Sequence, residues 1–383
     1  MAETQIEVMV NPHLSEDQEF FQSTTKKYLA AHAPISRVRE LAQDPLGYDL
    51  AAWRQGAELG WFSMLVPEAD GGGSVSGNGV VDLTIIAEEL GRVLFPGPVV
   101  ATNVVAAAIA RFGTSEQAGR WLPGIVAGET VASWAVAEPD GQWDETGVAM
   151  IAQLDAEGIH LSGTKTAVEY GDSVDLLLVT ARSSDGVVHL LVPRDAPGVT
   201  VVPLESMDLA RRFCEVQFTD VVVPPSSLVG NPVDGETELD SLLALATALQ
   251  CAETLGAMEQ TFDFTLEYSK DRRAFGRPIG SFQVIKHHFA DMALWLESAA
   301  AATAAAAEAV QIGHASLEAV SVAKAYIGDR AVEVVRECLQ IHGGIGFTWE
   351  HDIHLFLRRV ESNRAIFGDP EFHLDRVAEV VGL

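Results

Sequence analysis

The sequence predicts a mainly α-helical fold with a central β domain. The hydrophobic period along its 383 residues changes from helical, to a period of two, and back to helical. In addition, the last third consists of long helical runs that are rich in alanine. We therefore expect an N-terminal helical domain over residues 1–130, a small antiparallel β-barrel over 131–232 and a C-terminal four-helix bundle over 233–383.

The first segment carries helical periodicity. Apolar residues recur three and four positions apart in "DQEFFQSTTKKYLAAHA" and in "VVDLTIIAEELGRVL", which is typical of amphipathic helices. The glycine-rich stretch "PEADGGGSVSGNG" between them predicts a loop. The opening "MAETQIEVMVNPHL" lacks a basic stretch followed by an apolar one, so we expect no secretory signal.

The middle segment shows short runs with a period of two. Runs such as "VDLLLVTA" and "VVHLLVPR" are bounded by turn residues, which indicates strands. Asp185-Gly186 between these two runs predicts a hairpin turn. Many short strands with turns between them predict a small antiparallel barrel or sandwich.

The final segment predicts three long helices, and Gly343-Gly344 predicts the end of the third. Alanine-rich faces allow helices to approach closely. They therefore favour a bundle that also contacts helices of other subunits. High helix propensity alone would explain the alanines equally well.

The composition excludes several classes of function. A net charge of −29 repels phosphate backbones, so nucleic-acid binding is not expected. No apolar run has the length needed to span a bilayer, so we expect no membrane association. The three cysteines are far apart and show no metal spacing, which favours buried thiols in a cytoplasmic protein without a metal site. An anionic ligand would therefore require local clusters of arginine or lysine.

Four motifs in this order of domains resemble the acyl-CoA dehydrogenase family of flavoenzymes. They are "AVAEPDGQWD" (135–144), "RRFCEVQFTDVVVPPSSLVG" (211–230), "RRAFGRPIGSFQVIKHHFADM" (272–292) and "QIHGGIGFTWEHDIHLFLRR" (340–359). The resemblance implies an oxidoreductase that uses FAD to dehydrogenate an acyl-CoA thioester between its α and β carbons.

The resemblance also assigns cofactor-binding positions. Arg272 would hold the FAD pyrophosphate, which needs fixed positive charge and hydrogen-bond donors. In the family, the two C-terminal motifs act on one FAD from two different subunits, so an oligomer is implied. The full set of implied FAD-binding residues is Arg272, Phe275, Gln283, Gln340, Gly343, Gly344, Val136, Ala137 and Val168.

The barrel positions depart from the family pattern. Relatives carry a threonine at the position of Ala137 and a Trp-x-Thr at 167–169, and this chain has neither the hydroxyls nor the tryptophan. Trp143 replaces a small serine that meets the CoA arm in relatives. Either the flavin contacts are made by the backbone or the site of this subunit is modified.

The usual catalytic base is missing. Family members place a glutamate directly before a glycine after the "LRR" helix, and the matching residue here is Phe367, followed by Gly368. A second position used by some members is Ala246, which is also inert. Glu253 lies two helical turns further on the same face, where burial would raise its pKa towards that of a base. The alternative is a buried glutamate paired with an arginine or with the backbone.

The segment "YGDSVD" and the "FGD" ending resemble a particular branch of the family. It contains small subunits of the pimeloyl-CoA dehydrogenase type and paired actinobacterial enzymes of the steroid side-chain type, which assemble as α2β2 heterotetramers. The resemblance implies an acyl-CoA substrate, a homo- or heterotetramer with a homologous subunit, and an electron-transfer flavoprotein as the electron acceptor.

Four functions stay open at this stage. The chain is a dehydrogenase subunit paired with a catalytic homologue, or a homo-oligomeric dehydrogenase that uses Glu253 as its base. Otherwise it is a non-catalytic structural partner that completes the FAD site of its neighbour, or a flavin monooxygenase on the same fold. Ala244, Ala246 and Ala248 permit a bulky acyl group, and steroid, dicarboxylic and branched substrates all remain open.

Overall fold

The computed structural model describes residues 14–139, 143–155, 158–313 and 316–382. The segment inspected for a secretory signal therefore lies outside the described residues, except for its last residue. Within the described residues, the expected mainly helical fold with a central β domain is confirmed.

The N-terminal part is helical, and its first helix is fixed by a capping box. The Ser15 hydroxyl accepts a hydrogen bond from the Gln18 backbone, and the Gln18 side chain accepts one from the Ser15 backbone. Gln18 also donates to Asp82 at 2.8 Å, which ties the first helix to the fourth. The helices are α1 (Glu16–His32), α2 (Arg37–Leu41), α3 (Leu50–Glu58), α4 (Gly79–Arg92), α5 (Val99–Phe112) and α6 (Ser115–Val126).

The central part is a mainly antiparallel sheet. Its strands are β1 (Ala132–Ala135), β2 (Ile151–Leu154), β3 (Ile159–Glu169), β4 (Leu176–Ser183), β5 (Gly186–Pro193), β6 (Val199–Leu204), β7 (Phe213–Val223) and β8 (Leu228–Val229). They pair in the order β6-β7-β3-β2-β4-β5-β8. The hairpin predicted at Asp185-Gly186 joins β4 and β5, whose end residues Ser183 and Gly186 pair. In contrast to the all-antiparallel expectation, β1 pairs with β4 in parallel, and β2 makes a parallel bridge to β4.

The C-terminal part is a helical bundle. Its elements are α7 (Gly235–Asp271), the two-residue strands β9 (Arg273–Ala274) and β10 (Arg277–Pro278), α8 (Gln283–Ile312), α9 (Ser316–His342), α10 (Ile353–Ala365) and α11 (Pro370–Val380). Helix α8 runs antiparallel to α9, because His288 near the start of α8 contacts Glu337 near the end of α9. Helices α10 and α11 both pack against α9. Glu361 of α10 pairs with Arg336 near the end of α9, and His373 of α11 contacts Ser321 near its start.

Helix α7 is the centre of the bundle. By length and composition alone it could cross a membrane, contrary to the expectation that no segment could, but 94% of its apolar window is buried inside the protein. Burial of this kind is the signature of a core helix.

Helices α4 and α7 cross at two glycines. A Cβ atom at Gly256 would lie 1.9 Å from the Glu88 carbonyl oxygen, and one at Gly91 would lie 1.9 Å from the Glu253 carbonyl oxygen. Both distances are far inside van der Waals contact, so the two backbones approach as closely as they do only because these residues have no side chain. The crossing joins the N-terminal helices to the bundle.

We predict that Gly256→Ala separates the two helices and destabilises the protein by about 1–3 kcal/mol, the usual cost of overpacking a core. Gly119 on α6 is the matched control, because a Cβ there meets nothing within 4 Å. Gly119→Ala should raise stability by up to about 1 kcal/mol, because alanine is the better helix former. The midpoints of urea unfolding measure both changes, and a Gly256→Ala protein as stable as the Gly119→Ala protein would contradict the close crossing.

Candidate functional site

The segment that the resemblance matched to the family's base position is a turn between α10 and α11. Phe367 has a φ angle of +63°, in the left-handed region that a bulky side chain rarely adopts. The Lys324 ammonium donates to the Ile366 carbonyl at 2.8 Å and to the Asn363 carbonyl, so it caps the end of α10. Burial lowers the pKa of His373 to about 4, and its neutral ring donates through Nε2 to the Phe367 carbonyl at 2.9 Å. The turn is therefore held from both sides.

Phe367 packs against two tryptophans of the β domain. Its ring centroid lies 6.4 Å from that of Trp134, with 28° between the planes, and 5.2 Å from that of Trp143, edge to face. The Trp134 indole donates to the Thr180 hydroxyl at 2.9 Å, which fixes its orientation. A planar group inserted between two rings needs two contacts of about 3.5 Å, or about 7 Å in total. We call Trp134, Trp143 and Phe367 the aromatic cluster. Its Phe367 and Trp134 rings are too close together for a thioester to lie between them.

The barrel positions matched to the flavin ring are packed inside the chain. Val136, Ala137 and Val168 are all buried. The Val136 carbonyl accepts from the Lys165 ammonium at 3.0 Å, and the Ala137 carbonyl accepts from the Thr166 backbone at 2.9 Å. These carbonyls are thus already engaged by the chain's own donors.

Glu253 is a buried ion-pair residue. One carboxylate oxygen lies 2.6 Å from Arg359 Nη1, and the other lies 2.6 Å from Arg211 Nη2 and 3.1 Å from Asn363 Nδ2. Burial raises the pKa of Glu253, but the two guanidinium groups and the hydrogen bonds outweigh it and leave the pKa below its ordinary value. The expected raised pKa is therefore wrong. The alternative, a buried glutamate paired with arginine, is the observed arrangement.

The ion pairs extend into a charge cluster, which we define as Glu169, Asp208, Arg211, Glu253 and Arg359. Arg211 also contacts Glu169 at 2.8 Å, and Arg359 contacts Asp208 at 2.5 Å. All five side chains are buried or nearly so. The cluster joins β3, the segment before β7, α7 and α10.

The region expected to hold an acyl chain is closed. Ala244, Ala246 and Ala248 have no exposed surface. The cavity lined by Leu249, Arg211 and Glu253, among others, measures about 20 Å³. A cavity of that size holds about one water molecule.

The positions matched to the dinucleotide part of FAD lie on the surface at one end of the bundle. Arg272 ends α7, and Gln283 begins α8. The Tyr268 ring stacks on His342 at 4.3 Å, which brings the end of α7 beside the end of α9. The side chains of Arg272, Gln283, Gln340 and Phe275 are exposed, and Phe275 is 97% exposed at a φ angle of +52°.

This surface fits a dinucleotide better than the β domain fits a flavin ring. A Cβ atom at Gly343 or Gly344 would meet nothing within 4 Å, so a ligand can approach the backbone there. Among the described residues, Arg272 has no ion pair or side-chain hydrogen bond that would compete for a phosphate. In the chain, the dinucleotide positions precede α10 and Phe367 of the aromatic cluster follows it, with the 13 residues of α10, a helix about 20 Å long, between them.

Sequence reasoning missed Arg211 and Lys324. Arg211 lies in a quoted motif beside a second arginine, Arg212, and nothing in the sequence tells which of the two points inwards. Lys324 carried a usable signal, because it is a single lysine within the mainly apolar run "VSVAKAYI" of a predicted helix. Burial lowers the pKa of Lys324 to about 8.

Comparisons with known proteins identify the class. Models of the N-terminal, middle and C-terminal domains of acyl-CoA dehydrogenases match residues 15–129, 133–221 and 238–382. The chain is 30% identical over 369 residues to the acyl-CoA dehydrogenase IpdE2 of Mycolicibacterium smegmatis, covering 96% of this chain and all of the relative. The chain therefore belongs to the acyl-CoA dehydrogenase family, whose members are oxidoreductases with FAD as cofactor.

Two solved structures are similar over the whole fold. One is a variant of the Tcur3481-Tcur3483 steroid ACAD, with 29% identity and a TM-score of 0.87 over 96% of this chain and 98% of that one. The other is the ChsE4-ChsE5 complex from Mycobacterium tuberculosis, with 26% identity and a TM-score of 0.87 over 97% and 99% of the two chains. Both confirm the fold class predicted from the sequence.

We predict that Glu253→Gln lowers the free energy of unfolding by about 3 kcal/mol, because each of two buried guanidinium groups loses one of its two carboxylate partners. The matched control is Glu267→Gln on the same helix, where the Lys270–Glu267 pair is exposed. That change should alter stability by less than about 0.5 kcal/mol. Urea unfolding at pH 7 measures both, and equal midpoints for the two variants would contradict the structural role of Glu253.

The same variant should change the acid dependence of stability. The folded-state pKa of Glu253 is below its ordinary value of 4.5, so its ion pairs stabilise the protein above pH 4.5 and this stabilisation is lost as the pH falls through the folded-state pKa. Thermal unfolding between pH 3 and pH 6 should therefore show a smaller loss of stability on acidification in Glu253→Gln than in the parent. A loss of the same size in both proteins would show that this carboxylate does not titrate with a lowered pKa.

Proposed function

We propose that this chain is the subunit without a catalytic base in a heteromeric, FAD-dependent acyl-CoA dehydrogenase. The observation that carries the proposal is the chemistry and the packing of Phe367. By sequence resemblance it matches the family's base position; it cannot accept a proton, and its ring packs against Trp134 and Trp143. The carboxylate that removes the α-proton would then come from a homologous partner subunit.

Under this proposal, the exposed end of the bundle is the chain's contribution to the reaction. Arg272 would bind the FAD pyrophosphate through its planar set of donors, and the Gly343-Gly344 backbone and Gln340 would bind the adenosine part. Phe275 and Gln283 would contact the same cofactor from α7 and α8. The cofactor, when bound, accepts the hydride from the β carbon of the acyl group.

The closed interior of the chain supports the same proposal. A buried charge cluster and a cavity of about 20 Å³ leave no room for an acyl chain beside Ala246 and Glu253. The acyl group would therefore bind in the partner, and the partner's pocket would determine whether a steroid, dicarboxylic or branched acyl-CoA is accepted.

The names of similar proteins are consistent with this assignment. The neighbours include the Tcur3481-Tcur3483 steroid ACAD and the ChsE4-ChsE5 complex. A steroid-derived acyl-CoA is the substrate class we favour, with an electron-transfer flavoprotein as the acceptor and the cytoplasm as the compartment.

The other functions have less support. A homo-oligomer that uses Glu253 as its base would need a carboxylate with a free oxygen, and both oxygens are bonded to guanidinium groups. No contact in the described residues favours oxygen chemistry. A purely structural partner differs from our proposal only in whether Arg272 and its neighbours bind the cofactor, which is open to measurement.

We predict that Arg272→Ala lowers the FAD content of the assembled complex at least about tenfold, because a charged hydrogen-bond donor to the pyrophosphate is lost. The chain should be co-expressed with a homologous acyl-CoA dehydrogenase that carries glutamate at the position matching Phe367. Arg54→Ala is the matched control, because Arg54 is an exposed arginine on α3. Unchanged FAD content in Arg272→Ala would leave the chain a structural partner only.

We also predict that the chain purified alone does not bleach its flavin when mixed anaerobically with acyl-CoA thioesters. Phe367→Glu should not restore bleaching to the lone chain, because Trp134 and Trp143 still fill the slot and the acyl region stays closed. Bleaching should appear when the partner is added. Flavin bleaching by the lone parent chain would overturn the proposal.

A further inference from the structure

The loop between α9 and α10, residues 343–352, carries both glycines of the proposed dinucleotide surface. Its first half, Gly343–Phe347, forms a short 3-10 helix. Three of its apolar side chains are exposed, namely Ile345, Phe347 and Trp349. Apolar burial therefore contributes little to the order of this loop, and its position depends on polar contacts with neighbouring elements.

Arg39 of α2 makes such contacts with the second half of the loop. Its Nη1 donates to the Asp352 carboxylate at 2.6 Å, and its Nη2 donates to the Trp349 carbonyl at 2.8 Å and to the His351 carbonyl at 3.3 Å. The planar guanidinium also lies 5.7 Å from the centre of the Trp349 ring. We call these contacts of Arg39 with residues 349–352 the arginine clamp. It joins the N-terminal helices to the C-terminal bundle.

The clamped half of the loop packs back against the residue that precedes the glycines. The His351 ring centroid lies 4.6 Å from that of His342, the last residue of α9. His342 is fixed in turn, because its Nδ1 donates to the Cys338 carbonyl at 2.8 Å and its ring stacks on Tyr268. Gly343 follows His342 directly in the chain. The position of residues 349–352 therefore constrains the backbone at the start of the loop.

The neighbouring arginine of α2 has no such role. Arg37 lies two positions before Arg39 and pairs with Asp49 at 2.8 Å and with Glu40 at 3.9 Å, both in the N-terminal helical part. Within the described part of the chain, no hydrogen bond or ion pair joins Arg37 to the loop. Arg37 is therefore a matched control for the arginine clamp.

We propose that Arg39 is a positioning residue for FAD, because the arginine clamp holds the Gly343-Gly344 backbone in the shape that receives the adenosine part of the cofactor. The inference rests on the proposed function, which assigns that part of FAD to these glycines. Arg39 would not touch the cofactor and would act through the loop, as the outer contacts of a binding site fix the inner ones. The N-terminal helices of this chain would thereby contribute to the affinity for FAD.

The test measures FAD binding to the deflavinated complex of this chain with a homologous acyl-CoA dehydrogenase that carries glutamate at the position matching Phe367. Arg39→Ala should raise the Kd for FAD about fivefold, because the cofactor must then order the loop itself. Arg37→Ala should leave the Kd within about twofold of the parent value, as expected for a change outside the site. Equal FAD affinity in these two variants would overturn the proposal.

Two further variants separate positioning from a general loss of structure. Arg39→Lys should raise the Kd less than Arg39→Ala does, because an ammonium keeps the charge pair with Asp352 but lacks the planar set of donors. Asp352→Ala breaks the arginine clamp from the other side and should raise the Kd as Arg39→Ala does, so it serves if Arg39→Ala does not fold. An unchanged Kd in Asp352→Ala would contradict the clamp.

Hydrogen exchange in the same complex measures the loop directly. The amides of residues 343–352 should exchange faster in Arg39→Ala than in Arg37→Ala, because local opening becomes easier. Equal exchange in both would overturn the arginine clamp. A loss of FAD affinity in Arg272→Ala but not in Arg39→Ala would overturn this inference alone, whereas unchanged affinity in both would overturn the proposed function together with the inference.

Discussion

The pairing of Glu253 with Arg211 and Arg359 is the interaction on which the interior depends. It joins the β domain, the central helix α7 and α10 at one buried point. Taking these charges out of water is costly, and the cost is offset only because both carboxylate oxygens and most of the guanidinium donors are bonded. Opening this region for an acyl chain would expose or unpair several buried charges at once. A substrate pocket and this charge cluster are therefore alternatives for the same space.

The turn at Phe367 follows from the same junction. Asn363 binds Glu253 through its side chain, and its carbonyl accepts from Lys324, so the charge cluster and the cap of α10 share a residue. The Lys324 cap and the His373 hydrogen bond then hold Phe367 at a positive φ angle, which a phenylalanine adopts only when its surroundings impose it. The backbone that carries the Phe367 ring into the aromatic cluster is thus held by hydrogen bonds from two side chains.

The sequence predicted the architecture well because periodicity reports which face of an element is buried. The three regimes of helix, strand and helix, and the hairpin at Asp185-Gly186, are local properties. The parallel pairing of β1 with β4 was not predictable in this way, because strand partners depend on contacts between distant segments. Glu253 shows the same limit. Its burial could be inferred from its apolar neighbours, but the direction of its pKa shift depends on Arg211 and Arg359, which lie 42 and 106 positions away.

The contrast between the exposed dinucleotide positions and the packed Phe367 agrees with the proposal that this chain binds FAD while a partner subunit supplies the base. The side chains at the dinucleotide positions are exposed, whereas Phe367, which follows the 13-residue helix α10, packs against Trp134 and Trp143. The exposed set also includes Phe275, almost fully exposed at a left-handed backbone position, which is unfavourable for an isolated chain. An aromatic held outwards under strain gains its stabilisation only when a ligand or another subunit covers it. Under the proposed function, the surface of this chain would complete a site in a neighbour, and its closed interior would leave no second site of the same kind to compete with it.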